Sequence, residues 1–171
     1  MTVKRLNHAV LYVRNVERSV TFYEEALGFT VAASFPGAAF LQVPESQNDH
    51  DLGLFEVGAG AADNPAGKGA VGLYHLAWEV ETLSELQQVA ERLSAMGALV
   101  GASDHGTTKA LYAHDPDGIE FEVSWLVPLD LIDDETRSAR SRIGRLDIAK
   151  EIERYGAATR GGVGVSIPAT A

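Results

Sequence analysis

The sequence contains no cysteine. That excludes disulfides, thiolate metal sites and a cysteine nucleophile, so any bound metal must be held by nitrogen and oxygen. No apolar run approaches the ~20 residues a membrane helix needs. The opening stretch, Met-Thr-Val-Lys-Arg-Leu-Asn-His8, enters a strand pattern with no apolar leader, so a cytoplasmic enzyme or binding protein is expected. Basic residues are scarce, 14 Lys and Arg against 24 Asp and Glu, for a net charge of −10. A surface for nucleic acid or anionic membrane needs clustered Lys and Arg, so neither is expected as a partner. What the chain does have is apolar material. Hydrophobic residues make up 46% of 171, enough for one domain or for two small modules sharing a core.

The most informative stretch runs from His105 to Glu122. Asp115-Pro116-Asp117-Gly118 is a turn sequence: proline presets φ, and glycine takes positive φ without steric cost. Apolar and β-prone residues flank it, Ala110 to Ala113 before and Ile119 to Trp125 after, which predicts a β-hairpin. A type I turn closed by a left-handed glycine pairs Asp115 with Ile119, and therefore puts Tyr112 opposite Glu122 on one face. A two-residue loop would pair Tyr112 with Phe121 and send the carboxylate to the other face.

Upstream, Leu6 to Val13 reads as a buried strand, and Asn15 as the cap of a helix over Val16 to Leu27 closed by Gly28. Phe29 to Ala33, Ala39 to Val43 and Leu52 to Val57 read as three further strands. The Gly-, Ala-, Asn- and Pro-rich stretch 58–72 reads as a linker. The same grammar then restarts. Leu73 to Val80 alternates as a strand, and Thr82-Leu-Ser-Glu85 is a capping box opening a helix that Gly97 ends. His8 precedes its cap by 7 residues, and so does His75; Phe55-Glu56-Val57 resembles Phe121-Glu122-Val123.

These patterns predict an α+β fold of two βαβββ modules, over 5–57 and 73–127, whose mixed sheets form a cup. After Pro128, Asp133 is expected to cap one helix running to Tyr155, and the stretch 157–171 to lack order. The segment 128–171 is thus a C-terminal helical extension, and a homodimer or higher homo-oligomer is expected.

Two histidines and a glutamate, His8, His75 and Glu122, are candidate metal ligands. Two His and one carboxylate occupy one face of an octahedron and leave the other for substrate and O2, the arrangement of non-haem iron oxygenases. A lone strand histidine is more often packing; the repeat-related placement is what favours metal.

On these residues the chain resembles the vicinal oxygen chelate superfamily, which includes glyoxalase I, bleomycin-resistance proteins and type I extradiol dioxygenases. His105-x5-Leu111-Tyr112-x2-Asp115-Pro116-x-Gly118-x3-Glu122 is similar to the extradiol dioxygenase signature. Ser103, where that signature has Gly, Asn, Thr or an aliphatic residue, departs from it. His50-Asp51-Leu52-Gly53-Leu54 is similar to a strand of catechol 2,3-dioxygenases. The resemblance covers residues 5–125 and implies a single-domain extradiol dioxygenase acting on catechol or a substituted catechol with O2. It implies Fe(II), or Mn(II), on His8, His75 and Glu122; His50 as the acid/base; and His105 with Tyr112 on the bound catecholate. Trp78 and Trp125 read as core, and His114 as surface. Glu56 lies at the place equivalent to Glu122 in the repeat, and His8, Glu56, His75 and Glu122 together resemble the four-ligand Ni(II) or Zn(II) site of glyoxalase I, a lyase. A drug- or metabolite-binding resistance protein is the third reading. The trio His50, His105 and Tyr112 favours the dioxygenase, with Glu56 away from the metal.

Overall fold

The structure, a computed structural model, describes residues 2–64, 69–163 and 165–166. Residues 65–68 of the expected linker, and 164 and 167–171 of the tail, lie outside the described residues. Two units organise the chain: Met1–Pro65 with Asp115–Gly118, and Ala66–His114 with Ile119–Ala171. The fold class is α+β, with one mixed sheet and one βαβββ module in each unit.

In the first unit, β1 (Ala9–Val13) is followed by α1 (Val16–Leu27), β2 (Thr30–Phe35), β3 (Ala38–Gln42) and β4 (Leu52–Glu56). The sheet order is β1-β4-β3-β2, with β1 parallel to β4 and the other pairs antiparallel. Asn15 caps α1 by accepting from the Arg18 amide at 2.7 Å, and Gly28 ends it at φ 76°. Leu11, Val13, Leu41, Leu52 and Leu54 are buried, as are Phe22, Tyr23 and Ala26 of α1. Each such large side chain contributes about 1.5–3 kcal/mol by leaving water. The expected buried strand from Leu6 is shorter and one-sided. It starts at Ala9, and its other face is open, with Val10 50% and Tyr12 74% exposed. Strand alternation buries only the residues that face α1.

The turn Asp115–Gly118 belongs to this unit. The Gly118 amide donates to the Asp115 carbonyl at 3.0 Å with Gly118 at φ 80°, the expected loop. Asp117, its side chain only 5% exposed, accepts from the Arg14 amide (2.8 Å), the Arg14 guanidinium (3.2 Å) and Arg18 (2.6 Å).

In the second unit, β5 (Leu76–Glu79) leads into α2 (Leu83–Ala95), β6 (Leu99–Asp104), β7 (Thr108–His114) and β8 (Glu120–Leu126). The capping box forms as expected, with Thr82 accepting from the Glu85 amide and the Glu85 carboxylate accepting from the Thr82 amide. Leu83, Leu86, Val89 and Leu93 of α2 are buried, as are Phe121, Val123 and Trp125 of β8. The register pairs Tyr112 with Glu122.

The expected single helix from Asp133 to Tyr155 does not form. The chain makes α3 (Asp134–Ala139), a two-residue β9 (Gly144–Arg145) and α4 (Ile148–Tyr155), recapped by Asp147. Gly144 weakens a helix by about 1 kcal/mol, and its backbone instead pairs with Asp104 on the β6 edge. Ile143, which falls between α3 and β9, is 78% exposed. The start of the tail is ordered by the sheet: Thr159 accepts from the Trp125 indole at 3.2 Å, and Arg160 bridges to Thr82. Among the described residues no helix is long and apolar enough to cross a membrane.

Candidate functional site

The second unit gathers four of the six candidate residues on the sheet face turned away from α2. His75 lies immediately before β5, and its Nε2 is 3.2 Å from Glu122 Oε2. The hairpin register sets Tyr112 beside Glu122, and its phenol is hydrogen-bonded to that carboxylate. His105 Nε2 is 3.0 Å from the Tyr112 hydroxyl, and the His75 and Tyr112 ring centroids are 5.8 Å apart. Gly101 pairs with Tyr112; a Cβ there would already touch the Tyr112 ring at 3.7 Å. Burial, and then the negative charge of Glu122, push the Tyr112 phenol up to about 12. It therefore stays a neutral donor at ordinary pH.

Behind this row lies a second one. Glu120 Oε1 is 3.8 Å from His75 Nδ1, its Oε2 is 3.6 Å from His114 Nε2, and Tyr74 is hydrogen-bonded to it. The hydrogen bond to Glu120, together with its charge, raises the Tyr74 phenol.

In the first unit, His8 and His50 are neighbours, with ring centroids 4.5 Å apart. Phe40 packs edge-on to His50 at 4.8 Å and to Phe55 at 5.8 Å. The loop carrying His50 is organised by Asp51, which accepts from the Val43 amide (2.9 Å), Ser46 (2.9 Å) and Asn48 (2.7 Å). Burial raises the Asp51 carboxyl, but these three hydrogen bonds outweigh it and hold the group below the usual range. Asp49 lies 2.9 Å from His50 Nδ1. When Nδ1 carries the proton, Nε2 is the nitrogen free to accept another.

The repeat needs one correction. With the caps Asn15 and Thr82 aligned, Val10 matches Ala77. Val10 pairs with Gly53, whereas Ala77 pairs with Glu122. The counterpart of Glu122 in the first unit is therefore Gly53, and Glu56 is three residues too late. Glu56 pairs with Val13 on the face toward α1, where its carboxylate accepts from the Val16 amide at 3.0 Å. A carboxylate there satisfies an otherwise unpaired amide of the helix N-terminus and complements its dipole. Glu56 caps α1, so the case for a four-ligand set built on Glu56 lapses.

The structure thus brings together His75 with Glu122, His105 with Tyr112, and His8 with His50. Among the described residues, no group of three or more His, Asp or Glu is placed to hold a metal ion. His75 and Glu122 nonetheless suit a divalent ion. They are a nitrogen and an oxygen donor within 3.2 Å of each other, and His75 Nδ1 is buried without a hydrogen bond. Sequence reasoning gave no role to Asp49 and Asp51, the neighbours of His50, or to Glu120, two residues before Glu122. It also missed Lys109, an inward-facing lysine whose place in the strand alternation was the available signal.

A family model described as the Glyoxalase/Bleomycin resistance protein/Dioxygenase superfamily matches residues 5–123. The chain is 32% identical over 118 residues to a catechol-2,3-dioxygenase of Bacillus subtilis (strain 168), covering 69% of this chain and 40% of that one. It is 32% identical over 112 residues to a biphenyl-2,3-diol 1,2-dioxygenase 2 of Rhodococcus globerulus, covering 65% and 57%. The chain thus spans about half the length of these curated relatives. Among solved structures, a glyoxylase/bleomycin resistance protein/dioxygenase domain from Frankia sp. EAN1pec superposes with a TM-score of 0.58 at 23% identity, covering 72% of this chain and 92% of that one. The chain belongs to the glyoxalase/bleomycin resistance protein/dioxygenase superfamily.

Proposed function

We propose that the protein is an Fe(II)-dependent extradiol dioxygenase that cleaves the ring of catechol or a substituted catechol with O2. His75 and Glu122, with His8 from the other unit, are the metal ligands of this reading; Mn(II) shares their nitrogen and oxygen preference. The observation that carries it is the row His75, Glu122, Tyr112 and His105 on one sheet face. The dioxygenase names of the two relatives at 32% identity support it.

When bound, the metal supplies chelation of the two catechol oxygens and electron relay to O2, with both reactants held side by side. The chain's own residues do the rest. A catechol must lose at least one proton to chelate, and the Nε2 of His50, left free when Nδ1 carries the proton toward Asp49, is the group that accepts it. Tyr112 stays protonated and donates to the catecholate oxygen. His105, 3.0 Å behind it, fixes the direction of that hydroxyl. Phe40 and Phe55 beside His50 offer an apolar wall suited to an aromatic ring.

The test is direct. Protein loaded with Fe(II) under anaerobic conditions is given catechol or 2,3-dihydroxybiphenyl, and air is then admitted. A yellow ring-fission product is expected. No colour and no O2 uptake across a panel of catechols would refute the reading.

A further inference from the structure

The family match ends at residue 123, and the extension that follows has no role in the site as described. Two of its elements, β9 and α3, pack on the tight turn that carries His105. The two residues of β9 pair with Ser103 and Asp104, immediately before His105. The backbone at the end of α3 lies against Gly106, immediately after it. A Cβ on Gly106 would stand 2.5 Å from the Thr136 carbonyl oxygen and 2.9 Å from the Arg140 nitrogen, and Gly106 has φ 76°. No side chain is tolerated there without moving α3 or the turn.

Lys109 joins these contacts to α4. Strand alternation points Tyr112 to the site face and Lys109 to the opposite one. Lys109 is 1% exposed, with Nζ 2.6 Å from Asp104 Oδ1 and 3.0 Å from Glu151 Oε2 on α4. The same Asp104 oxygen accepts from the Gly106 amide at 2.8 Å, while the His105 amide donates to the Thr108 carbonyl at 2.9 Å. The turn is thereby tied on its inner side to a buried charge network that the extension completes. Buried charges of this kind add little net stability but can specify one geometry.

We propose that Lys109, paired with Asp104 and with Glu151 of the extension, is a positioning residue that holds the His105 imidazole against the Tyr112 hydroxyl. The inference rests on the proposed role of His105 and Tyr112 toward substrate, but its primary readout needs neither metal nor substrate.

The experiment compares the full-length protein with Glu151→Gln, Glu151→Asp and Gly106→Ala, using Arg160→Ala as the control. Arg160 pairs with Glu81 at an exposed site elsewhere on the extension. Imidazole 15N NMR on the metal-free protein reads the tautomer of His105. A single fixed tautomer is expected in the wild type and the control. In Glu151→Gln and Gly106→Ala the two ring signals should move toward tautomer-averaged positions, with Glu151→Asp intermediate. In the iron-loaded enzyme the same two variants should lose about 10- to 100-fold in kcat at unchanged iron content. If Glu151→Gln does not fold, Glu151→Asp decides. Wild-type His105 signals in every folded variant would overturn the proposal. Altered signals in a protein that cleaves no catechol would sustain the positioning and sink the dioxygenase reading alone.

Discussion

Tyr112→Phe isolates one oxygen atom. The ring and its 5.8 Å contact with His75 remain, while the hydroxyl bonded to Glu122 and lying 3.0 Å from His105 is removed. Between neutral partners the loss would be about 0.5–1.5 kcal/mol, and toward a charged group about 1.5–3 kcal/mol. The hydroxyl of this account donates to a negatively charged catecholate, so the second range applies. It converts to a fall of about 10- to 150-fold in kcat/KM, with iron content unchanged. The pH dependence has a definite sign. The phenol is raised in the folded protein to about 12 from an ordinary value of about 10. The neutral donor is fully present below pH ~10 and is lost only as pH climbs through the raised value. The wild-type profile should therefore show no alkaline limb from this group below pH ~10, and Tyr112→Phe should lower the whole curve without reshaping it. Ring cleavage followed at the absorbance of the yellow product, across pH 6 to 10 as about a neutral span, reads both. Unchanged kcat/KM, or an alkaline limb in that span that disappears in the variant, would refute the donor role.

Three further outcomes follow from the same geometry. His50→Ala should keep its metal, measured by elemental analysis, and lose about 10²–10⁴-fold in turnover, the usual share of a general base; unchanged turnover removes His50 from the reaction. Glu56→Ala should lower stability in urea by about 0.5–2 kcal/mol through the loss of a helix cap and leave metal stoichiometry intact; loss of metal would restore the four-ligand reading. Asp117→Ala, which takes the acceptor from the Arg14 amide, should lower stability by about 1–3 kcal/mol, the cost of leaving a part-buried amide unpaired, and a loss under about 0.5 kcal/mol would show the turn to be weakly tied.

Much of this was legible because local chemistry decides local structure. Asp115-Pro116-Asp117-Gly118 favours a type I turn closed by a left-handed glycine over a two-residue loop, and that turn sets Tyr112 opposite Glu122. Asn15, Gly28 and the Thr82–Glu85 box fixed both repeat helices for the same reason. Where a choice depended on distant partners, the sequence was silent or misleading. The apolar stripe past Asp133 is compatible with one long helix; only the open β6 edge explains why Gly144 and Arg145 leave it. The triplet Phe55-Glu56-Val57 looks like Phe121-Glu122-Val123, yet sheet register assigns Gly53 to the place of Glu122. Lys109 could be recognised as buried, but its partner Glu151 lies 42 positions on, beyond any local rule.

The most direct measurement is crystallography of the anaerobically iron-loaded protein, with anomalous data collected on both sides of the iron edge. One iron per chain, bound by the imidazoles of His8 and His75 and the carboxylate of Glu122, with the remaining positions open, is the predicted result. Iron held by Glu56, or protein that takes up no iron while His75 and Glu122 keep their 3.2 Å contact, would contradict it.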